Sequence, residues 1–272
     1  DIGLHPGETT IADALKSAGY ATACVGKWHL GHHPEFLPTA QGFDSYFGIP
    51  YSNDMSHPET AKRPRYGKWD EYWSRKDESG IWQTPLIENE KIIEHPVDQR
   101  SITRRYTDKA IDFINANKSK PFFLYLAHSM PHVPLYLPDE LYDPNPKRAY
   151  ISVIEHIDAE VGRILDTLRK EGLDQNTYVI FTSDNGPWLK FKHHAGKAGP
   201  LRSGKGSTFE GGMRVPCVTW APGRIPANSK SKDIASTIDV LPTIASIAGV
   251  ELKTKGPIDG INIADFLHAK SP

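Results

Sequence analysis

Helical patterns alternate with short apolar runs along most of this chain. The run at residues 122–127, Phe-Phe-Leu-Tyr-Leu-Ala, suits a buried strand. A helical pattern covers residues 102–117 before it, and another covers residues 151–168 after it. This alternation predicts an α/β fold, with a mostly parallel sheet and helices on its faces. Further strands are predicted at 20–27, 177–182 and 215–220, and further helices at 11–18 and 239–248.

The composition narrows the class of protein. The 272 residues include 32 Lys+Arg and 33 Asp+Glu, for a net charge of −1, and 38% of the residues are hydrophobic. These values fit a globular domain and exclude a strongly basic nucleic-acid-binding protein. No apolar run is long enough to span a membrane. We therefore expect one domain over residues 1–272, with neither nucleic acid nor membrane as partner and no signal for a particular oligomeric state.

Residues 31–96 depart from the periodic pattern. They are rich in Pro, Gly, Trp, Tyr and charge, and we interpret them as long functional loops near the site. Trp69, Trp73 and Trp82 could line a platform for a sugar, although tryptophans that pack a loop are more common.

Cysteine usage gives a second expectation. Cys24 and Cys217 are the only cysteines, too few for a disulfide scaffold or a cysteine-based zinc site. We expect two free, buried thiols, with a single bridge as the alternative.

Polar segments follow three of the predicted strands. They are residues 26–31, 128–132 and 183–186, and the Gly-rich segment 199–214 comes soon after the last of them. In open α/β sheets, ligands bind beyond the carboxyl ends of the strands. We therefore expect these segments to meet in one site. The candidate residues are Lys27, His29, His132, Asp184, Asn185 and Lys205.

The residue types indicate two kinds of ligand. The oxygens of Asp184 and Asn185 suit a hard cation such as Ca²⁺ or Mg²⁺, whereas lysines and histidines suit an anionic tetrahedral oxo group. Each residue also has a simpler interpretation. Lys27 could be a solvated strand end, the histidines could be structural, and Asp184-Asn185-Gly186 is a good turn sequence.

Two familiar motifs are matched only superficially. Residues 199–206 resemble a phosphate-binding loop, but Gly206 replaces the Ser or Thr that binds the metal. His128 and His132 have the spacing of a zinc-protease helix, but Pro131 lies between them and the glutamate is missing. Neither a nucleotide hydrolase nor a zinc protease is indicated.

Several motifs in order resemble the sulfatase family. Gly19-Tyr20-Ala21-Thr22 with Gly-Lys-Trp-His-Leu-Gly at 26–31 resembles the second sulfatase signature. Gln-Gly-Phe-Asp at 41–44 and Phe-Gly-Ile-Pro-Tyr-Ser at 47–52 are similar to the arylsulfatase A group in particular. The family's order continues at residues 122–132, 182–186, 204–206 and 210–216.

The resemblance implies an alkaline-phosphatase-like α/β core that hydrolyses aryl or carbohydrate sulfate esters. It implies that Asp184 and Asn185 supply half of a calcium site, with Mg²⁺ as the alternative. Lys27 and His29 would hold a catalytic formylglycine and its sulfated form. His132 and Lys205 would contact the sulfate and stabilise or protonate the leaving ester oxygen.

The chain also departs from the family pattern. Formylglycine arises within a Cys/Ser-x-Pro/Ala-x-Arg motif, which these 272 residues lack, as they lack the paired aspartates of the metal site. With Asp1-Ile2-Gly3 at its start, we expect an incomplete chain, without that motif and without the family's C-terminal subdomain. The expected partner is a sulfated small molecule or glycan, and the family implies a periplasmic, secreted or lysosomal location. The alternatives are an inactive sulfatase-like binding module and a phosphoester or phosphonate hydrolase of the same superfamily.

Overall fold

A mixed five-stranded sheet lies at the centre of the fold. The computed structural model describes residues 2–56, 73 and 81–268. The strand order is β4-β3-β2-β1-β5, and two further strands, β6 and β7, form a separate sheet. The strands are β1 (Ala21–Gly26), β2 (Ser45–Gly48), β3 (Leu86–Glu88), β4 (Lys91–Glu94), β5 (Phe122–Ala127), β6 (Val179–Thr182) and β7 (Cys217–Trp220). The helices are α1 (Ile11–Ser17), α2 (Ile102–Asn117), α3 (Ala149–Lys170), α4 (Glu210–Met213), α5 (Val240–Ala248) and α6 (Ala264–Leu267).

A capping box begins helix α1, and a left-handed glycine ends helix α5. At the start of α1, the Thr10 hydroxyl accepts from the Asp13 amide, and the Asp13 carboxylate accepts from the Thr10 amide. This reciprocal capping satisfies amides that have no partner within the helix. α5 ends at Gly249, whose φ of 68° is left-handed. None of the helices in the described residues combines the length and the apolar character needed to cross a membrane.

Among the described strands, parallel pairing joins β2, β1 and β5 at one end of the sheet. β1 is parallel to β2, with Cys24 opposite Tyr46, and parallel to β5, with Cys24 opposite Tyr125. β3 is antiparallel to both β2 and β4. The predicted α/β class is therefore confirmed, but the five-stranded sheet is mixed rather than mostly parallel, because β3 and β4 pair antiparallel. The interpretation of residues 31–96 as loops is wrong in part, because β2, β3 and β4 lie within them.

The antiparallel β6–β7 pair shares a core with β5 although it is not hydrogen-bonded to it. Ile114 of α2 and Leu168 of α3 are buried, and both Leu124 of β5 and Val179 of β6 pack against their cluster. Two layers of secondary structure thus enclose one apolar interior. β5 and β6, which are each followed by candidate residues, thus pack against the same pair of helices.

Side-chain burial decides three expectations. Both cysteines are free, as expected, and Cys24 is buried, but Cys217 is exposed. The expectation of burial is wrong there because the outer residues of β7 are open to solvent, as its neighbour Val218 shows. Trp73 and Trp82 are buried in one hydrophobic cluster, which agrees with loop packing. Trp69 lies outside the described residues.

We expect His128 to make the protein less stable in mild acid. Both ring nitrogens of His128 are shielded from solvent and lack a hydrogen-bond partner among the described residues. Burial lowers the pKa of His128 to about 4, with Glu160 raising it and His156 lowering it to a lesser extent. Between its ordinary pKa of 6.5 and this value, the unfolded chain binds a proton that the folded chain does not. The free energy of unfolding should fall by up to about 1.4 kcal/mol per pH unit over that range.

Urea unfolding at pH 7 and pH 5 checks this expectation. The His128→Gln variant supplies the comparison, since glutamine does not titrate. The native protein should lose more stability between the two pH values than the variant does. An equal loss in both proteins would contradict the assignment of this pH dependence to His128.

Candidate active site

A close approach of two strands positions Lys27. At the end of β1, Gly26 has a φ of +116°, and a Cβ atom there would lie 1.9 Å from the carbonyl oxygen of Ala127. Only glycine fits this conformation and this contact. The Lys27 amide then donates to the same Ala127 carbonyl at 2.8 Å. The half-buried Lys27 therefore leaves the sheet from a fixed backbone position at the carboxyl end of β1.

The backbone of His29 is left-handed rather than extended. Its φ is +64°, which is uncommon for a residue with a side chain. The Trp28 amide donates to the Ile49 carbonyl at 3.0 Å, and the His29 amide donates to the Pro50 carbonyl at 2.9 Å. These bonds hold the strained conformation, a feature that clusters at functional sites. They also place the His29 ring edge-to-face with that of Tyr51, 5.8 Å between centroids.

The His132 ring is hydrogen-bonded to the carbonyl of the next residue and to a serine that follows β2. Its Nδ1 lies 2.6 Å from the Val133 carbonyl oxygen and 3.2 Å from the Ser52 hydroxyl. A carbonyl can only accept, so Nδ1 carries a proton. Nε2 is therefore the nitrogen that gains or loses a proton when His132 titrates.

Asp184, Asn185 and Lys205 come from two adjoining segments. Asp184 and Asn185 follow β6, and the next amide, that of Gly186, donates to the carbonyl of Gly212 in α4 at 3.0 Å. The Lys205 amide donates to the Pro187 carbonyl at 2.9 Å. The turn after β6 and the Lys205 segment are thus joined by main-chain bonds.

Trp188 connects Lys205 with His132. The ammonium of Lys205 lies over the Trp188 ring, 5.0 Å from its centroid, and the His132 ring is 5.8 Å from the same ring. A cation over an aromatic face is held by the quadrupole of the ring. Trp188 therefore forms a shared wall for two candidate residues that lie far apart in sequence.

The charges at this edge act on one another. Burial lowers the pKa of the Lys27 ammonium, the Asp184 carboxylate raises it, and Lys205 lowers it. Desolvation lowers the pKa of His29, and the positive charges of Lys27 and Lys205 lower it further. The pKa of His132 is lowered first by burial and then by the same two lysines. The structure therefore brings Lys27, His29, His132, Lys205 and Asp184 together, with Asn185 next to Asp184 in the chain.

Sequence reasoning missed two polar residues of this cluster. Ser52 is buried against His132, and the Asp54 carboxylate raises the pKa of Lys27, His29 and His132. Both follow β2, so the rule about strand ends would have found them. The signal was hidden because β2 has only four residues and lies in the region interpreted as loops.

Asp184 and Asn185 carry the kind of oxygen ligands that Ca²⁺ prefers, but two residues are too few to complete its coordination. Asp184 and Asn185 offer hard oxygen donors, whereas Ca²⁺ takes roughly six to eight oxygen ligands. The described residues contain no group of three or more His, Cys, Asp or Glu side chains that could hold a metal ion. The Lys27 ammonium also lies close enough to Asp184 for their charges to interact. These residues can supply part of a calcium or magnesium site and do not form a complete one.

Comparison with known proteins decides the family. The sulfatase family profile matches residues 2–250 of the chain. The chain belongs to the sulfatase family. Arylsulfatase G of Rattus norvegicus is 36% identical over 288 residues, which cover 99% of this chain and 55% of the relative. N-acetylgalactosamine-6-sulfatase of Mus musculus is 36% identical over 266 residues, covering 96% and 49%. This sulfatase chain spans about half the length of the curated relatives it matches.

Solved structures agree with this sulfatase assignment. The structure of Ps i-CgsB in complex with k-i-k-neocarrahexaose has a TM-score of 0.80 and 31% identity, covering 97% of this chain and 59% of that one. PsFucS1 sulfatase from Pseudoalteromonas sp. has a TM-score of 0.81 and 26% identity, covering 98% and 56%. The predicted alkaline-phosphatase-like α/β core is thereby confirmed.

Proposed function

We propose that this chain forms the sulfate-binding and leaving-group side of a sulfuric ester hydrolase. The observation that carries the proposal is the convergence of two lysines and two histidines, Lys27, His29, His132 and Lys205, at one edge of the sheet. A sulfate ester presents anionic oxygens, and charge-assisted hydrogen bonds from such donors are stronger than neutral ones. Donors already fixed in place stabilise the charge that develops during the reaction.

We propose a separate role for the lysines and for His132. Lys27 and Lys205 would neutralise charge on the sulfate oxygens. His132, with Nδ1 fixed by the Val133 carbonyl at 2.6 Å, would carry at Nε2 the proton that the departing ester oxygen needs. In the family, formylglycine supplies the nucleophile and a divalent cation adds charge stabilisation. These 272 residues lack the formylglycine motif and hold only part of the cation site. We therefore propose only that His29 would face the formylglycine and that Asp184 and Asn185 would face the cation.

The substrate class that we propose is a carbohydrate sulfate ester, with aryl sulfates as synthetic substitutes. Two named relatives support this class. One is an N-acetylgalactosamine-6-sulfatase, and the other is a solved structure in complex with a carrageenan oligosaccharide, k-i-k-neocarrahexaose. The exposed rings of His29 and His32 both contact the ring of Tyr51, and we propose that this group of rings contacts the sugar. An extracytoplasmic location is part of the same proposal.

Inorganic sulfate binding tests the role of the two lysines without requiring turnover. Lys27→Met and Lys205→Met should each weaken binding roughly tenfold or more, because a hydrogen bond to a charged group contributes about 1.5–3 kcal/mol. NMR shift titration of this chain with sodium sulfate at constant ionic strength measures the change. Lys118→Met is the matched control, since Lys118 pairs with Glu171 on the surface. Equal weakening in the control would contradict a specific anion site.

An activity assay separates the three candidate functions. It requires a full-length sulfatase that includes these 272 residues and carries a formylglycine motif. Release of sulfate from a carbohydrate sulfate, lost in Lys205→Met, supports the proposal. Preference for a phosphate or phosphonate ester would favour the related hydrolases, whereas binding of sulfated glycan without turnover would favour an inactive binding module.

A further inference from the structure

The turn after β2 is clamped to the segment that carries His132. The side-chain amide of Asn53 donates to the Pro134 carbonyl at 3.0 Å and to the Gln99 side-chain oxygen at 3.0 Å. The side-chain amide of Gln99 donates to the backbone carbonyl of Asn53, also at 3.0 Å. Asn53 and Gln99 are each 1% exposed. Buried polar groups that are hydrogen-bonded to one another favour a single arrangement, although the Asn53 side-chain oxygen has no hydrogen-bond partner among the described residues.

This clamp places the neighbours of Asn53 at His132. On one side, the Ser52 hydroxyl lies 3.2 Å from Nδ1 of His132. On the other side, the half-buried Asp54 brings a carboxylate whose charge acts on Lys27, His29 and His132. Asp54 is thus a negative charge set within a cluster of cationic groups. It is not needed for binding an anion, and it would oppose such binding, which calls for another explanation.

We propose that Asp54 is a positioning residue for the reaction, and that the Asn53–Gln99 clamp holds its carboxylate beside the His132 imidazole to keep the donated proton on Nε2. This inference rests on the proposed function. The charged groups that act on His132 are Asp54, Lys27 and Lys205. The two lysines that serve sulfate binding disfavour a protonated imidazole, as does burial, and Asp54 is the group that offsets them. The cluster can then bind an anion and still protonate a leaving oxygen.

The proton on His132 is the quantity to measure. In this chain, NMR titration of the histidine ring signals reports it directly, with His132→Gln used to assign the resonance. Asp54→Asn keeps the shape of the side chain and removes its charge. It should shift the His132 titration to lower pH by about one unit, as loss of a nearby opposite charge does. Asp112→Asn is the matched control, because Asp112 is exposed on α2 and is not among the charges that act on His132.

The clamp is tested by a second variant. Gln99→Leu removes the partner of Asn53 without touching Asp54 or His132. It should shift the His132 titration in the same direction as Asp54→Asn, because the turn is no longer fixed. Circular dichroism establishes that each variant is folded. An unchanged His132 titration in folded Asp54→Asn, or an equal shift in Asp112→Asn, would overturn the proposal.

Kinetics in the longer enzyme give the functional consequence. If protonated His132 is required, kcat/KM falls as pH rises through its pKa, so Asp54→Asn should move the alkaline limb of the profile to lower pH. A purely structural role would lower the rate equally at every pH, and that result would overturn the proposal. An inactive longer enzyme would count against the proposed function, whereas the NMR titration would still report whether Asp54 controls the His132 proton.

Discussion

Purified by itself, the 272-residue chain should hydrolyse a chromogenic aryl sulfate no faster than buffer does. The proposed cluster of lysines and histidines would bind and polarise a sulfate, but the sequence holds no motif from which the family's nucleophile, formylglycine, arises. No Cys/Ser-x-Pro/Ala-x-Arg motif occurs in these residues. Holding a nucleophile next to the reacting atom contributes roughly 7–11 kcal/mol, so its loss corresponds to a rate lower by at least about five orders of magnitude.

The two cysteines cannot replace that nucleophile. Cys24 is buried within β1, and burial raises the pKa of its thiol far above the ordinary value, so the reactive thiolate does not form. Cys217 is exposed on β7, and its sequence, Cys217-Val218-Thr219-Trp220, does not match the modification motif.

The assay therefore includes Ca²⁺ and a formylglycine-generating enzyme, and we expect neither to restore turnover. A full-length sulfatase that carries formylglycine is the positive control under the same conditions. Sulfate release by the purified chain that disappears in Lys205→Met would contradict the prediction. It would also require another nucleophile within these 272 residues.

The sequence predicted the parts of the fold that have long or strongly apolar patterns. The helices at 102–117 and 149–170 lie where the periodicity indicated, because each buries an apolar face. The strand at 122–127 also lies where its apolar run indicated, but the expectation of a buried strand is wrong, because its residues are half-buried and Tyr125 is exposed. The strands at 45–48, 86–88 and 91–94 were not predicted. They have three or four residues each, and their pairing partners make the strand rather than their own composition.

The site was predictable to the extent that its residues follow recognisable strands. Lys27, His132 and Asp184 were found because β1, β5 and β6 were found. Asp54 was missed because its strand was missed. The left-handed turn at His29 was missed for a different reason. It depends on hydrogen bonds to the carbonyls of Ile49 and Pro50, and a local pattern cannot contain such contacts with a distant segment.

Gly26→Ala should destabilise the protein by about 4 kcal/mol or more. The new methyl group would meet the Ala127 carbonyl oxygen at 1.9 Å, in a backbone conformation with φ of +116° that L residues rarely adopt. Gly26 cannot move away from β5, because it is also in close contact with β2 on its other side. A Cβ on Gly48 of β2 would lie 1.7 Å from the Gly26 carbonyl oxygen. The strands would have to separate, at a cost comparable to much of the stability of a typical domain.

Gly172→Ala is the matched control for this prediction, because it isolates the backbone term. Gly172 follows α3 with a φ of +69°, and a Cβ there would have no atom within 4 Å. Its substitution should cost only about 1–2 kcal/mol. Urea unfolding of both variants measures the difference, and equal losses would refute the close-approach argument. Because Lys27 leaves the sheet through Gly26, any folded Gly26→Ala protein should also bind sulfate more weakly than Gly172→Ala. The same strand contact that stabilises the sheet thus sets the position of the first lysine of the site.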